Sequence, residues 1–586
     1  MHKSPFGIFI NGTHAQLAGL ALLVALILTA LHGGLTLQND DLQIYFMLCG
    51  GGAEPGPFAL YTNVCLGSVI SRLSVIFPSV NWYLYFLFGL ALMASCALNL
   101  SVCERLSRCR LHSKIAALLF LVYVNYQGLT TTQYTHVGIY AACSAVMLIS
   151  RMLEERNGSA WRVVVSSLLL LFAFSLRTSS LLPAVFLMAG ILMAQYKSLA
   201  DCCAIRHLAV ALAVPLVLCG GASLVNSIAY QNSPEWNDAL RFLRARVQIL
   251  DSKDNSGLDK EADLQSAGVS PESFNLFKQF VYVPEMDSLD TVESALAVHK
   301  MGRKGVFGIS QAADMGLLEF HLSNLAPRET LARTVTPYVP LCVGVLLLIL
   351  FPERKRFAAA AWVLAALFCY LAILALMDRL VGRVLNPVLY VTALYVLSLP
   401  EDVSATDRRN WRAAIAVLSA FAACAFCFRH FGEVKANSGE IWEYCRTKPD
   451  TQFYTCCMQH LGPYPAGVDG YSLRLLQNSN VLPLADGWVF YTPAYKAALK
   501  ARGISNPYSH LTRPNTEIIT YKLFSPQSTL RNIQKEIYAQ TGQCVDFEKV
   551  SERGDFEFWT VTTTPPNPSC PMSDFFSLRA DAVILK

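Results

Sequence analysis

The sequence predicts an α-helical polytopic membrane protein of about 11 transmembrane helices, followed by a smaller α/β domain. Three observations lead there. Of 586 residues, 53% are hydrophobic and 15% charged, and the mean hydropathy of +0.38 lies outside the range of soluble domains. Apolar runs of about 17–22 residues, long enough to cross a bilayer, recur along the first 430 positions. Basic residues concentrate in alternate loops between those runs.

The runs fall near 15–35, 82–103, 113–130, 134–151, 162–177, 180–196, 207–228, 335–352, 357–377, 384–400 and 411–428. The first, Ala15 to Gly34, lacks a small-residue cleavage site, so it reads as a retained helix rather than a signal peptide. One set of loops holds Arg105, Arg108, Arg110 and Lys114; Arg151, Arg156 and Arg162; Lys197 and Arg206; Arg354, Lys355 and Arg356; and Arg408, Arg409 and Arg412. The intervening connections carry little beyond Arg72, Arg177, Arg379 and Arg383. By the positive-inside rule the N-terminus is cytoplasmic, and eleven spans of a multi-pass cell-membrane protein leave the C-terminal domain extracytoplasmic. The net charge of +5 is spread over short loops, which argues against a nucleic-acid partner.

Phe58 to Phe77 is apolar in part, but Asn63, Ser68, Ser71 and Arg72 interrupt it. A crossing there would turn every later basic loop outward, so the stretch reads as an amphipathic helix in the outer interface. It belongs to a first outer loop at 36–81, whose Gly50-Gly51-Gly52 and Glu54-Pro55-Gly56-Pro57 make a turn-rich lead-in. A large outer loop at 229–333 begins with a helical pattern from Trp236 to Leu250. Positions 1–430 thus form the membrane module and 431–586 the outer α/β domain. In that domain Gln452 to Cys457, Ile518 to Leu523 and Phe556 to Thr562 read as strands, and Leu530 to Thr541 as a helix. Cys445, Cys456, Cys457, Cys544 and Cys570 allow one or two disulfides there, with no assignable pairing.

Polar residues at the outer ends of the spans are the candidates for chemistry. Asp40 and Asp41 follow the first span, and adjacent carboxylates at that depth are costly unless something requires negative charge. Gln133, Tyr134 and His136 lie where the third span turns into the fourth; Arg177 ends the fifth; Asp378, Arg379 and Arg383 lie between the ninth and tenth. A guanidinium presents a planar fork to two phosphate oxygens. Carboxylates and arginines at one level suit a lipid-phosphate donor, because nucleotide sugars are cytoplasmic. A polyprenyl-phosphate-linked sugar meets that requirement. Arg177, Arg383 and Arg379 would stabilise the leaving phosphate, and Asp40 or Asp41 would take the proton of an acceptor hydroxyl. The acceptor would be an envelope glycan or glycolipid. A lipid-linked glycan flippase or transporter is the alternative of another class, although such proteins place their sites at mid-bilayer. An O-antigen-type polymerase or ligase is a third.

The span, acidic pair, interfacial helix and second span resemble the GT-C superfamily of polytopic glycosyltransferases that use lipid-phosphate sugars. The resemblance extends to a group of bacterial multispan membrane proteins through Asn39-Asp40-Asp41 with Gly50, Asn63 and Gly67, and Pro78-Ser79-Val80-Asn81-Trp82-Tyr83. It continues through Gln133-Tyr134-Thr135, Arg177, Trp236 with Arg246 and Asp251, and Gly382-Arg383 with Pro387, where Val384 replaces a tyrosine. Asp486-Gly487-Trp488 through Tyr495, and Gly503-Ile504-Ser505-Asn506, complete it. It implies a GT-C fold, an inverting transfer, and an acidic catalytic residue at Asp40 or Asp41. Some members use a divalent cation such as Mg or Mn and others do not; if one is present here, Asp40 and Asp41 would hold it. Trp236, Arg246 and Trp488, with Gln133, Tyr134 and His136, are the expected cavity and acceptor residues, Trp488, Tyr491 and Tyr495 as stacking surfaces.

Overall fold

The computed structural model describes residues 12–31, 40–50, 54–78, 80–155, 159–196, 202–250, 264–265, 267–270, 273–274, 277, 282–302, 336–351, 353–376, 382–400, 410–429, 438–456, 480–484, 489–522 and 526–564. Asn39, Ser79, Asp251, Asp378, Arg379, Cys457, Asp486, Gly487, Trp488 and Cys570 lie outside them, as do the loop residues Arg156, Lys197, Arg408 and Arg409.

Among the described residues, five helices are long and apolar enough to cross a membrane by length and composition: Thr13–Leu31, Trp82–Leu106, Tyr134–Glu155, Ile205–Gln231 and Arg354–Leu374. Shorter apolar helices occupy Val64–Ile76, Ala160–Leu176, Thr178–Ala194, Val339–Leu350, Gly382–Leu397 and Ile415–Ala425. We label the helices in chain order: α1 (Gly12–Leu31), α2 (Asp41–Cys49), α3 (Val64–Ile76), α4 (Trp82–Leu106), α5 (Leu111–Thr130), α6 (Tyr134–Glu155), α7 (Ala160–Leu176), α8 (Leu181–Ala194), α9 (Cys202–Gln231) and α10 (Pro234–Leu250). After them come α11 (Leu289–Gly302), α12 (Val339–Leu350), α13 (Arg354–Leu376), α14 (Gly382–Leu397) and α15 (Asn410–Arg429).

Helix α6 is the centre of the bundle, its apolar window wholly buried, with α4, α7, α8, α9 and α14 packed around it. Peripheral α1 and α9 bury only 22% and 17% of their windows, leaving Leu20, Leu216 and Val217 exposed as a lipid-facing surface requires. A buried polar chain ties α1 to the bundle. Ser95 meets the Tyr140 hydroxyl, which donates to Asn125; Asn125 donates to Asn99, and Asn99 to the Ala18 carbonyl.

Within the run from Phe58 to Phe77 the helix is α3, 13 residues long, about 20 Å and too short to span the hydrocarbon. Asn63 caps it by accepting from Cys65 N–H at 2.9 Å, and the Asn63 amide donates to the Ala222 carbonyl of α9. Val69, Val75, Ile76 and Phe77 are exposed along it, while Gly67 packs so closely on the Pro57 carbonyl that an added Cβ would lie 2.0 Å from the oxygen.

At the far end of the bundle, Arg105, Arg151 and Arg162 interlock with Glu104, Glu154 and Glu155. Arg105 reaches Glu154 at 2.8 Å, and Glu104 receives Arg151 at 3.2 Å and Arg162 at 2.9 Å. Arg162 also pairs with Glu155 at 2.5 Å, and Arg151 with Glu154 and Glu155. Three residues read from the sequence as basic loop residues are therefore neutralised inside the bundle.

The C-terminal part carries a mixed five-stranded sheet of order β2-β1-β3-β5-β4. Its strands are β1 (Gln452–Thr455), β2 (Val481–Pro483), β3 (Thr516–Tyr521), β4 (Cys544–Arg553) and β5 (Phe556–Thr564). β1 runs parallel to β2 and β3, whereas β5 is antiparallel to β3 and β4. Helices α16 (Ser438–Thr447), α17 (Pro493–Ala501), α18 (Pro507–Leu511) and α19 (Pro526–Thr541) accompany it. Cys445 and Cys544 are free thiols among the described residues. Tyr491 and Tyr495, expected as stacking surfaces, are instead core: they are 6% and 0% exposed. Tyr491 stacks on Phe242 of α10 at 4.1 Å, and Tyr508 donates to the Tyr282 carbonyl. Half-exposed Lys496 pairs with Asp287 at 3.2 Å. The large loop and the tail domain thus share one aromatic interface.

Candidate functional site

The two aspartates open α2 and use their side chains in different ways. Asp40 occupies the N-cap of α2, a position where aspartate normally accepts from its own helix. Its side chain makes no such bond, and the backbone carbonyl alone receives Gln43 and Ile44 N–H. The carboxylate turns instead to the Tyr134 hydroxyl, which donates to Asp40 Oδ2 at 3.4 Å. The other end of α2 closes at Gly50, whose φ of 81° is a left-handed conformation that glycine adopts without strain.

Asp41 is fully buried. Its Oδ1 accepts from the Tyr83 hydroxyl at 2.6 Å and from Tyr134 N–H at 3.1 Å, with Oδ2 at 3.4 Å from the same N–H. It therefore caps the N-terminus of α6, where backbone donors lack helical partners and the helix dipole favours negative charge. Burial pushes its carboxyl well above the ordinary range, opposed by Tyr83 and Tyr134 N–H; the charge of Asp40 adds to the rise and that of Arg383 opposes it. Gln133 completes the cap by accepting from His136 N–H at 2.9 Å.

Arg177 ends α7 in an extended conformation, and Thr178–Ser180 turn the chain into α8. Its Nη1 donates to Tyr134 Oη at 3.0 Å and Thr135 Oγ1 at 2.9 Å, and its Nε to Ser179 Oγ at 3.0 Å. The guanidinium also lies 5.7 Å from the Tyr61 ring and 5.5 Å from the Tyr134 ring, within cation–π range. Nη2 makes no hydrogen bond among the described residues. Arg383 sits half-buried in the first turn of α14, close enough for its charge to act on Asp41.

Asp40, Asp41, Gln133, Tyr134, Arg177 and Arg383 thus come together at one end of the bundle. Trp236 lies one layer behind. It stacks on Phe58 at 5.2 Å, and so buttresses the turn that carries Tyr61. In that turn Leu60 takes a φ of 51°, a strained value for a branched residue, and its N–H donates to the Tyr230 hydroxyl. Arg246 is not brought to the aspartates. It lies about 15 Å along α10 from Trp236 and rests on Phe277 at 5.9 Å. His136 is buried one step into α6, both ring nitrogens lacking hydrogen-bond partners among the described residues.

Tyr83, given no site role from the sequence, is wholly buried and holds Asp41. Its place in the first turn of the span that follows the acidic pair was the available signal. Tyr61 gave none, since its approach to Arg177 depends on the fold of the 58–62 turn.

The described residues do not fit a divalent cation. Both Asp41 oxygens are engaged, Arg177 and Arg383 already supply positive charge beside them, and no group of three His, Cys, Asp or Glu side chains suited to a metal occurs among the described residues.

No protein-family model matches the chain, and no curated protein matches it. Solved structures do, among them two of one protein. The crystal structure of ArnT from Cupriavidus metallidurans in the apo state aligns over 92% of this chain and 97% of that one, at 12% identity and a TM-score of 0.38. The structure of the same protein bound to undecaprenyl phosphate aligns over 93% and 97%, with the same identity and TM-score.

Proposed function

We propose that this chain is a multi-pass membrane glycosyltransferase that moves a sugar from a polyprenyl-phosphate donor to an envelope glycan or glycolipid on the outer face. The observation that carries this reading is the meeting of Asp40 and Arg177 on one phenol oxygen, that of Tyr134, at one end of an apolar bundle. Few chemistries require a carboxylate and a guanidinium side by side at the lipid boundary. Glycosyl transfer from a lipid phosphate is one of them.

In this reading the Asp40 carboxylate takes the proton of the acceptor hydroxyl as that oxygen attacks the anomeric carbon. The bond from that carbon to the phosphate oxygen breaks, and its electron pair leaves with the polyprenyl phosphate. Arg177, through its unengaged Nη2 edge, and Arg383 stabilise the charge that develops there. Inversion follows from a single displacement. Asp41 is an anchor rather than the base, because Tyr83 and Tyr134 N–H occupy both of its oxygens. No step passes through a metal. The basic end of the bundle, with Arg354 and Arg412, faces the cytoplasm, and the large loop and sheet domain face outward.

Asp40→Asn and Arg177→Ala, each produced at wild-type level in the native cell, test this. The expected result is loss of a sugar from the envelope glycan or glycolipid in both. A glycan composition unchanged in both variants would overturn the reading.

A further inference from the structure

We infer that Tyr134 is a positioning residue whose phenol keeps Asp40 and Arg177 apart, so that the base and the donor-phosphate ligand stay available at once. The inference rests on the functional reading above and deepens it. Tyr134 is wholly buried, so its ring is shielded from solvent. The two neighbouring aspartates grip it from opposite ends, Asp41 at the backbone N–H and Asp40 at the hydroxyl. The Tyr61 ring, 6.1 Å away, flanks it.

A phenol has one proton to give and lone pairs to receive. Here the proton points to Asp40 Oδ2 and a lone pair accepts from Arg177 Nη1. Both functions are committed, which fixes the hydroxyl in one orientation. Opposite charges held this close are drawn together; with the oxygen removed, the half-buried Arg177 and Asp40 would close into a direct ion pair. That pair would neutralise the base and occupy the phosphate ligand in a single step. The spacer therefore sets the availability of both groups, and the two halves of the site are coupled through it.

The test uses the full-length protein in detergent, with undecaprenyl phosphate as the probe and binding as the readout. Tyr134→Phe is expected to weaken binding roughly tenfold, because Arg177 is captured by Asp40. Adding Asp40→Asn to Tyr134→Phe removes the captor, and affinity is expected to return to within about threefold of wild type. General damage to the fold would not be repaired by a second substitution, so the rescue separates positioning from collapse. Wild-type affinity in Tyr134→Phe, or a weakened affinity that Asp40→Asn leaves unrestored, would overturn the inference while leaving the functional reading in place. Failure of the wild-type protein itself to bind the probe would sink both.

Discussion

Arg177 donates through Nη1 to the phenol oxygen of Tyr134 at 3.0 Å, joining the end of α7 to the start of α6. The same guanidinium reaches Thr135 and Ser179, a three-way contact that a lysine ammonium on its flexible stem cannot reproduce in plane. Arg177→Lys is expected to lower sugar transfer by about a hundredfold or more while the protein stays folded. Transfer assayed in isolated membranes, beside a thermal-unfolding control, checks this; a variant with near wild-type turnover would remove Arg177 from the phosphate site.

The two aspartates should separate into an activity effect and a stability effect. Asp41→Ala leaves the buried Tyr83 hydroxyl and Tyr134 N–H without an acceptor, at about 1–3 kcal/mol for each orphaned group. Asp41→Asn keeps one acceptor oxygen and sheds a buried carboxyl, so its unfolding temperature is expected at or above the wild-type value. Asp40→Asn is expected to unfold like wild type and to lose transfer by about 10²–10⁴-fold. The reverse ordering, with Asp40 governing stability and Asp41 turnover, would exchange their roles.

Gly67→Ala tests the packing of α3. A methyl 2.0 Å from the Pro57 carbonyl oxygen meets backbone, which cannot swing aside. The expected cost is about 1–3 kcal/mol from overpacking, visible as a lower unfolding temperature in detergent. Gly56→Ala, where nothing stands within 4 Å, is the matched control and is expected to be neutral.

Glu104 binds two arginines at once, Arg151 and Arg162, with all three side chains no more than 10% exposed. Glu104→Gln leaves excess positive charge in a nearly closed space, and breaking a buried pair from one side costs about 3–5 kcal/mol. Thermal unfolding measures it. A loss below about 1 kcal/mol would mean the cluster is well hydrated.

The contact between the large loop and the tail should respond to pH through Asp287. Burial raises its carboxyl above the ordinary value of 3.8, with Lys496 and the Tyr282 hydroxyl opposing the rise. The folded state therefore holds this proton more tightly than the unfolded chain. Its contribution to stability is present below the ordinary value and is lost as pH rises through the raised one. Asp287→Asn is expected to flatten the fall in unfolding temperature above about pH 4. Superimposable pH profiles for variant and wild type would contradict this.

Much of the site was legible because its residues sit where apolar runs stop. Asp40, Asp41, Gln133, Tyr134, Arg177 and Arg383 are each polar at a helix end, and helix ends on one side of a bundle must meet. Arg246 misled because a position within a loop helix says nothing about which end of that helix approaches the bundle. β1, β3, β5 and α19 followed from alternation and helical spacing. β2 was too short to register, and β4, Cys544–Arg553, is an edge strand whose mostly polar, exposed face hides the pattern. The interlocked charges were missed by tallying cations alone, although Arg151, Glu154 and Glu155 stand at the three- and four-residue spacing that lets helical side chains meet.

Three guanidinium groups and three carboxylates at the far end sum to zero. Carrying one uncompensated charge across a membrane polarised by 100 mV takes about 2.3 kcal/mol of electrical work. The interlocked six carry no net charge, so seating them in an energised membrane adds nothing to that work.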